Sequence, residues 1–230
     1  EVFSHTRIKL PKEPGPIARE IPGQLILVAT GVPEKFRKDT YRQKFKALDK
    51  DKVEITITAL EPKTKDKVRP LTDPNGGANL KSTLAVEASH PKIVELAKKV
   101  AGTEKNAYAT AKKVVQWVGA NMTKDYGASS DRASDILGSM KGDCTEHALL
   151  AVSMLRALGI PARRVDGVVY LKNDDGVPAL YWHEWVEAYV GEWTQLDPTF
   201  NQLVADATHF AVGEESNAEI TPLIGSVNVL

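Results

Sequence analysis

Two hydrophobic periodicities occupy different parts of this 230-residue sequence, and their order restricts the possible folds. Residues 53–59 alternate apolar and polar side chains, which is typical of a strand with one buried face. From Pro91 onward, apolar residues recur every three or four positions, as they do on the buried side of a helix. Runs rich in β-branched and aromatic residues follow Pro161. Helices followed by a meander of strands predict an α+β core.

A break in the pattern near residue 82 predicts two domains. Residues 1–82 are interpreted as a small β-rich domain of unknown role, because residues 25–28 form a second short apolar run. Three prolines and the pair Gly76-Gly77 between residues 62 and 77 indicate a linker or a long loop. Residues 83–230 are assigned to the α+β core.

The core is predicted to begin with helices and to end with strands. Pro91 suits the first position of a helix that Gly102 ends, and Gly159 with Pro161 should end a later one. The expected helices cover residues 91–101, about 104–121, 133–137 and 145–158, and the expected strands cover residues 163–172, 183–189 and 192–197.

Composition limits the possible partners. The 30 basic and 30 acidic residues balance, so the net charge indicates no polyanionic partner and no nucleic acid. No segment reaches the ~18 uninterrupted apolar residues of a membrane helix, so we expect no membrane span in these residues. The chain starts at Glu1 without a leader pattern, which we interpret as a processed product or an excised fragment.

Cys144 is the single cysteine, so no internal disulfide can form, and it precedes the helix predicted at 145–158. A thiol at a helix N-terminus meets the positive end of the helix dipole, so we expect a lowered pKa and a reactive thiolate. The alternative is a small buried apolar residue, because free cysteine is among the most buried residue types.

His183 and Asp197 lie on two predicted strands joined through residues 189–191. A three-residue hairpin loop with Gly191 at its third position would place Ala188 opposite Glu192. The same register places His183 directly opposite Asp197, where a carboxylate can orient an imidazole.

Other interpretations of this pair remain open. A two-residue loop would place Asp197 opposite Val186 and separate it from His183. A strand histidine is often a core or rim residue, and an aspartate before Pro198 favours a turn. His147 lies three residues after Cys144, but a structural zinc site needs four ligands, and the chain has no second cysteine. We therefore expect no metal and no cofactor, and interpret His147 as an exposed or hydrogen-bonded residue of the first helical turn.

Four ordered motifs resemble the bacterial transglutaminase-like superfamily of papain-like thiol enzymes. They are Gly142-Asp143-Cys144, residues 155–163 (LRALGIPAR), residues 183–187 (HEWVE) and residues 193–199 (WTQLDPT). The two helices before the cysteine and Asp206-Ala207-Thr208-His209 are also similar to that family, so the resemblance covers roughly residues 85–212. It implies a papain-like fold, with a helical part packed on an antiparallel sheet, and a catalytic triad of Cys144, His183 and Asp197.

The resemblance also implies a chemistry. Cys144 would attack the carbonyl of a peptide or protein amide, and His183 would protonate the departing amine. The oxyanion would be held by the Cys144 backbone N–H and one side-chain donor, for which Tyr126 is our candidate. Trp117 is the alternative donor, although its helical spacing favours packing. Trp182 and Trp185 lie on either side of His183 in the sequence. Each could pack around the site or contact substrate, and the sequence does not distinguish these roles.

The fate of the thioester would decide the reaction. Water would make the protein a cysteine protease or amidase, as the resemblance to bacterial members favours, and an amine acceptor would make it a transglutaminase. The sequence is also compatible with a binding or scaffold module without turnover, and with an interaction fragment of a larger envelope protein. The resemblance implies a periplasmic, secreted or cell-envelope location, and the oligomeric state stays open.

Overall fold

The structure is a computed structural model that describes residues 7–173, 175–214 and 221–230. Its regular elements in chain order are β1 (Arg7–Lys9), β2 (Gly23–Thr30), β3 (Gln43–Ala47), β4 (Lys52–Ala59), α1 (Pro91–Ala101), α2 (Ala107–Asn121), β5 (Thr123–Lys124), α3 (Ala133–Ser139), β6 (Lys141–Gly142), α4 (Cys144–Ala157), β7 (Ala162–Leu171), β8 (Ala179–Tyr189), β9 (Trp193–Leu196), β10 (Phe210–Glu214), α5 (Thr221–Ser226) and β11 (Asn228–Val229).

The chain divides into two compact units, each assembled from separate stretches. The first contains Glu1–Glu61, Val165–His183 and Ala205–Leu230, and the second contains Pro62–Arg164 and Glu184–Val204. Strands β7 and β8 therefore begin in one unit and end in the other. The boundary predicted near residue 82 stays a prediction about the domain organisation.

The first unit is built on a four-stranded antiparallel sheet with the order β11-β2-β4-β3. Val53, Ile55 and Ile57 of β4 are buried, whereas the residues between them are half-buried, so the predicted strand at 53–59 is confirmed. Leu25 and Leu27 of β2 join the same hydrophobic core. The period of two in the sequence thus identifies the buried face of this sheet.

The second unit has its own hydrophobic core, made mainly of helices. Almost every residue of α4 is buried, and α1 and α2 pack against it. Val186, Ala188 and Leu196 of the β8–β9 hairpin belong to the same core, so the helices pack on antiparallel strands. The α+β class predicted from the sequence is confirmed.

A five-stranded antiparallel sheet has the order β1-β8-β7-β10, and β9 pairs with a further part of β8. The predicted strand at 183–189 begins earlier, because Ala179–Tyr181 pair with β1. β10 was missed, because residues 210–214 contain a glycine and show no clear alternation. Helix α2 begins at Ala107, three residues later than expected, because the Asn106 side chain accepts the Ala109 N–H.

In the part of the chain that the structure describes, no helix combines the length and hydropathy needed to cross a bilayer.

Gly159 provides a test of how α4 is terminated. The N–H of Ile160 bonds the Leu155 carbonyl and the N–H of Gly159 bonds the Arg156 carbonyl, which is a Schellman motif with Gly159 at φ +73°. A Cβ on Gly159 would lie 2.6 Å from the Cβ of Pro70. We expect Gly159→Ala to lower the free energy of unfolding by roughly 2–4 kcal/mol, because it adds steric overlap to an unfavourable backbone conformation.

Gly77→Ala is the matched control for this substitution. Gly77 also has a positive φ, +90°, but an added Cβ would meet no heavy atom within 4 Å. Its replacement should cost only the backbone term, about 1 kcal/mol. Urea unfolding of both variants measures the difference, and equal losses would contradict the proposed contact with Pro70.

Candidate active site

A capping box sets the position of Cys144 at the start of α4. Asp143 is the N-cap, and its carboxylate accepts the Thr145 N–H at 2.8 Å. The Glu146 carboxylate in turn accepts the Asp143 N–H at 2.8 Å. These two bonds satisfy backbone donors that the first helical turn leaves without partners. Cys144 is therefore the first helical residue, whereas the sequence predicts that it lies just before the helix.

The Cys144 thiol is buried, with 9% of the residue exposed, and the backbone N–H of Glu184 hydrogen-bonds to its sulfur. Burial raises the pKa of Cys144 well above its ordinary value, and the charge of Asp143 raises it further. The charges of Glu184 and Asp197 act in the same direction, and the Glu184 N–H opposes them. The predicted lowering of the pKa is wrong, because burial and three carboxylates outweigh the helix N-terminus.

Asp197 is fully buried and held by backbone groups on its C-terminal side. Its Oδ1 accepts the N–H groups of Thr199 at 2.7 Å and Phe200 at 3.2 Å. Its own N–H and carbonyl bond with Gln202 in an isolated bridge. The aspartate thus initiates a turn, as the structural interpretation of Asp197-Pro198 predicts. Its charge also acts on the Cys144 thiol, so the same carboxylate is near the sulfur.

The β8–β9 hairpin differs from its predicted register by two residues. Tyr189 faces Trp193 and Ala188 faces Thr194, so Ala188 is not opposite Glu192 as expected. Gly191 lies at the centre of the loop with φ +114°, rather than at its third position. The sequence rule predicts a loop that has the glycine at its third position and is closed by Ala188 and Glu192. In the structure the closing pair is Tyr189 and Trp193, one residue further along the chain on both sides.

The predicted pairing of His183 with Asp197 fails at the end of this hairpin. Val186 pairs with Leu196, the last residue of β9, and Asp197 instead bonds with Gln202. The prediction that His183 and Asp197 lie directly opposite each other is therefore wrong.

His183 is buried and directly precedes Glu184, whose N–H meets the Cys144 sulfur. The peptide bond that follows His183 is therefore the part of β8 that lies against Cys144. Within the second unit, the start of α4, the Glu184 amide and the turn at Asp197 converge. Their role as a triad with His183 stays a prediction.

Several motif residues hold this hairpin together. The Trp185 indole N–H donates to Gln195 Oε1 at 3.0 Å, and Gln195 donates to Glu187 at 3.2 Å. Glu187 forms an ion pair with Arg163 at 2.7 Å, and the Arg163 guanidinium lies 4.2 Å from the centroid of the Trp193 ring. Trp185 is fully buried, which favours packing, and its predicted contact with substrate stays a prediction.

The loop that carries Tyr126 is attached on both sides of Cys144. The Asp125 N–H bonds the Gly142 carbonyl at 3.0 Å, and the Ser130 N–H bonds the Glu146 carboxylate at 3.0 Å. Tyr126 itself is 74% exposed, so its role as oxyanion donor stays a prediction. Trp117 packs against the helical core, as its spacing indicates.

Two further buried histidines, His147 and His209, differ in how well the sequence predicts their surroundings. His147 is buried and its Nδ1 lies 2.6 Å from the Asp143 carbonyl oxygen, so the hydrogen-bonded interpretation is confirmed. Burial lowers the pKa of His147. His209 of the first unit is also buried, with its ring centroid 5.9 Å from that of His183. The resemblance of residues 206–209 to the family includes His209, but nothing in the sequence predicts that His209 lies beside His183.

Residues 94–198 match the Transglutaminase-like superfamily. These residues resemble a transglutaminase-like core. The match confirms the recognised resemblance over this stretch, and the mixed helices and antiparallel strands confirm the predicted fold. The overall fold resembles a candidate cysteine protease from Cytophaga hutchinsonii, with a TM-score of 0.58 and 17% identity over 92% of this chain and 82% of that one. It also resembles the periplasmic domain of TgpA from Pseudomonas aeruginosa, with a TM-score of 0.52 and 16% identity over 85% of this chain and 75% of that one.

Mycobacterial proteins are similar in sequence to part of the chain. An uncharacterized protein of Mycobacterium leprae is 33% identical over 95 residues, 40% of this chain and 34% of that protein. An uncharacterized protein of Mycobacterium tuberculosis is 33% identical over 113 residues, 43% of this chain and 34% of that protein. The chain thus spans about a third of the length of these relatives.

Asp143→Asn tests the electrostatic environment of the thiol. Asparagine also serves as an N-cap, so helix α4 should persist while the negative charge beside Cys144 is lost. Because that charge raises the pKa of the thiol, its removal should lower the pKa. Iodoacetamide labelling should then begin to rise at lower pH, and at pH 9 it should be roughly threefold faster than in the unmodified protein.

Asp135→Asn, in the first turn of α3, is the matched control and should leave the labelling profile unchanged. Labelling rates measured by mass spectrometry between pH 6 and 11 follow both variants. Coincident profiles for Asp143→Asn and the unmodified protein would contradict the assigned influence of Asp143.

Proposed function

We propose that this protein is a thiol-dependent acyl-transfer enzyme that acts on peptide or side-chain amides through a thioester on Cys144. His183 is the acid–base residue and Asp197 orients it. Hydrolysis is the favoured outcome, which makes the protein a cysteine peptidase or amidase. The carbonyl carbon that Cys144 attacks becomes the acyl carbon of the thioester.

One observation carries this proposal: the backbone N–H of Glu184 bonds to the Cys144 sulfur, and His183 is the residue directly before that amide. A thiol acting on an amide needs a base within reach of its proton. Asp197, whose charge acts on the same sulfur, directly follows strand β9. The match of residues 94–198 to the Transglutaminase-like superfamily supports these roles.

The acylation half-reaction follows from the protonated state of the thiol. Because burial raises the pKa of Cys144, the sulfur carries its proton at neutral pH. His183 takes that proton as the sulfur bonds to the amide carbonyl carbon, and Asp197 stabilises the resulting imidazolium. The oxyanion accepts a hydrogen bond from the Cys144 N–H at the start of α4, with Tyr126 as the proposed second donor. The C–N bond then breaks, and His183 gives its proton to the departing amine.

The deacylation half-reaction decides the product. A water molecule loses a proton to His183 and attacks the thioester carbon. The C–S bond then breaks, and His183 returns the proton to the departing sulfur, which gives a carboxylic acid and the thiol. An amine in place of water would give a new amide, which is the transglutaminase reaction. Water is the proposed acceptor on the resemblance to bacterial members of the superfamily.

A periplasmic or cell-envelope location is part of the proposal. The TgpA domain, which the fold resembles, is periplasmic. Peptides and proteins of the envelope are then the proposed amide substrates.

Alkylation of Cys144 tests the pairing with His183. A buried, protonated thiol reacts slowly by itself, so rapid labelling at pH 7 requires transfer of the thiol proton to a base. We expect stoichiometric labelling of Cys144 by iodoacetamide at pH 7, and we expect His183→Ala to slow it by about 10- to 100-fold. Asp197→Asn should slow it less, because the imidazole is retained.

His90→Ala is the matched control, since His90 lies at the start of α1, outside the β8–β9 hairpin and α4. It should label at the unmodified rate. Equally slow labelling of the unmodified protein and of His183→Ala would favour a binding or scaffold module and contradict the enzymatic proposal.

Incubation with a peptide library tests the reaction type. Products are read by mass spectrometry with and without a primary amine such as cadaverine, and Cys144→Ala is the inactive control. Chain scission, or loss of ammonia with gain of one water molecule, is the expected result without amine. A product that carries cadaverine in place of ammonia, formed faster than any hydrolysis product, would overturn hydrolysis as the main reaction.

A further inference from the structure

A second buried histidine lies beside His183 in the first unit. The ring centroids of His183 and His209 are 5.9 Å apart, with their planes inclined by 58°. His209 has no exposed surface. The reaction proposed above gives His209 no role, so its contact with His183 needs its own explanation.

Asp206 fixes the orientation of the His209 ring. Nδ1 of His209 lies 3.1 Å from Oδ1 of Asp206, and also 3.2 Å from the Asp206 carbonyl oxygen. Because carboxylate and carbonyl oxygens only accept hydrogen bonds, Nδ1 carries a hydrogen in either protonation state of the ring. The edge of His209 that carries Nδ1 is therefore held by Asp206.

Other polar groups hold Asp206 in turn. Its Oδ1 also accepts the Thr208 N–H at 2.9 Å and the Thr208 hydroxyl at 2.6 Å. Its Oδ2 accepts Arg19 at 2.9 Å, and the buried Arg42 donates to its carbonyl oxygen at 2.6 Å. Burial raises the pKa of Asp206, but hydrogen bonds from His209 and Thr208 outweigh it and hold the pKa well below its ordinary value. Asp206 is thus an ionised carboxylate at neutral pH.

This arrangement is costly if it serves only to fill space. A buried carboxylate with arginine and histidine partners loses hydration that an apolar core of the same volume would not lose. Such a network does, however, hold a ring in one orientation with several directed bonds. The ring it holds is the one that lies against His183.

We propose that His209 is a positioning residue for His183, held by Asp206 so that its ring limits the rotation of the His183 imidazole. This inference rests on the proposed function, because it assigns His183 the acid–base role. The imidazole must meet both a sulfur and a carboxylate in one orientation, and a misplacement of about 1 Å costs on the order of 10²-fold in rate. A buried neighbour of fixed orientation reduces that loss.

His209→Phe is the decisive variant, because phenylalanine keeps a planar aromatic ring but cannot donate to Asp206. We expect it to fold, as circular dichroism would verify, and to lower the rate of Cys144 alkylation at pH 7 roughly three- to tenfold. The imidazole ¹⁵N resonances of His183, measured by long-range ¹H–¹⁵N correlation, should move toward the mixture of tautomers found in free histidine. His90→Phe makes the same chemical change outside this network and should alter neither measurement.

The two measurements separate this inference from the proposed function. Folded His209→Phe protein with unchanged His183 resonances would overturn the positioning role, whatever the labelling rate. Unchanged labelling would also overturn it if His183→Ala slows labelling. Shifted resonances in a protein whose labelling never depends on His183 would support the positioning of His183 and reject the enzymatic proposal instead.

Discussion

The hydrogen bond between the Glu184 backbone N–H and the Cys144 sulfur is the contact on which the candidate site depends. It joins the first residue of α4 to strand β8 inside the second unit. The capping box of Asp143 and Glu146 fixes one side of this contact, because it decides where α4 begins. Strand pairing with β9 fixes the other side. A change in either element would move the sulfur away from the residues proposed to activate it.

Much of this structure could be predicted where the signal is local. A helix start such as Asp143, with Glu146 three residues later, and a helix end such as Gly159 act over a few residues, and α4 lies where they indicate. The alternation at 53–59 identified the buried face of β4 for the same reason. The beginning of β8 was missed, because it depends on pairing with β1, far away in sequence.

Two errors at the site have tertiary causes. The loop that joins β8 and β9 packs against a residue that no local rule includes, because an added Cβ on Gly191 would lie 2.7 Å from Cγ of Lys67. The pKa of Cys144 follows from burial and from the charges of Asp143, Glu184 and Asp197, of which only Asp143 is a sequence neighbour. The position of Cys144 at the start of a helix therefore predicted a lowered pKa, whereas its surroundings raise it.

Some motif residues are proposed to react with substrate, whereas others stabilise the strands that carry them. Arg163, Glu187 and Gln195 form a bonded series that ends on the indole of Trp185, and none of them is proposed to touch the reacting atoms. The residues that resemble the family therefore include residues that stabilise the hairpin as well as residues proposed to react. A protein that kept these residues and lost the thiol would keep the fold, which is why labelling, rather than motif matching, distinguishes an enzyme from a scaffold.

The burial of the thiol has a consequence for its survival. Peroxides oxidise thiolates rather than thiols, and they react fastest with exposed sulfur. Burial raises the pKa of Cys144, only 9% of the residue is exposed, and the chain has no second cysteine with which to form a disulfide. In an oxidising compartment Cys144 would therefore form sulfenic acid mainly while a base, proposed to be His183, holds the thiol proton, and no internal disulfide could follow.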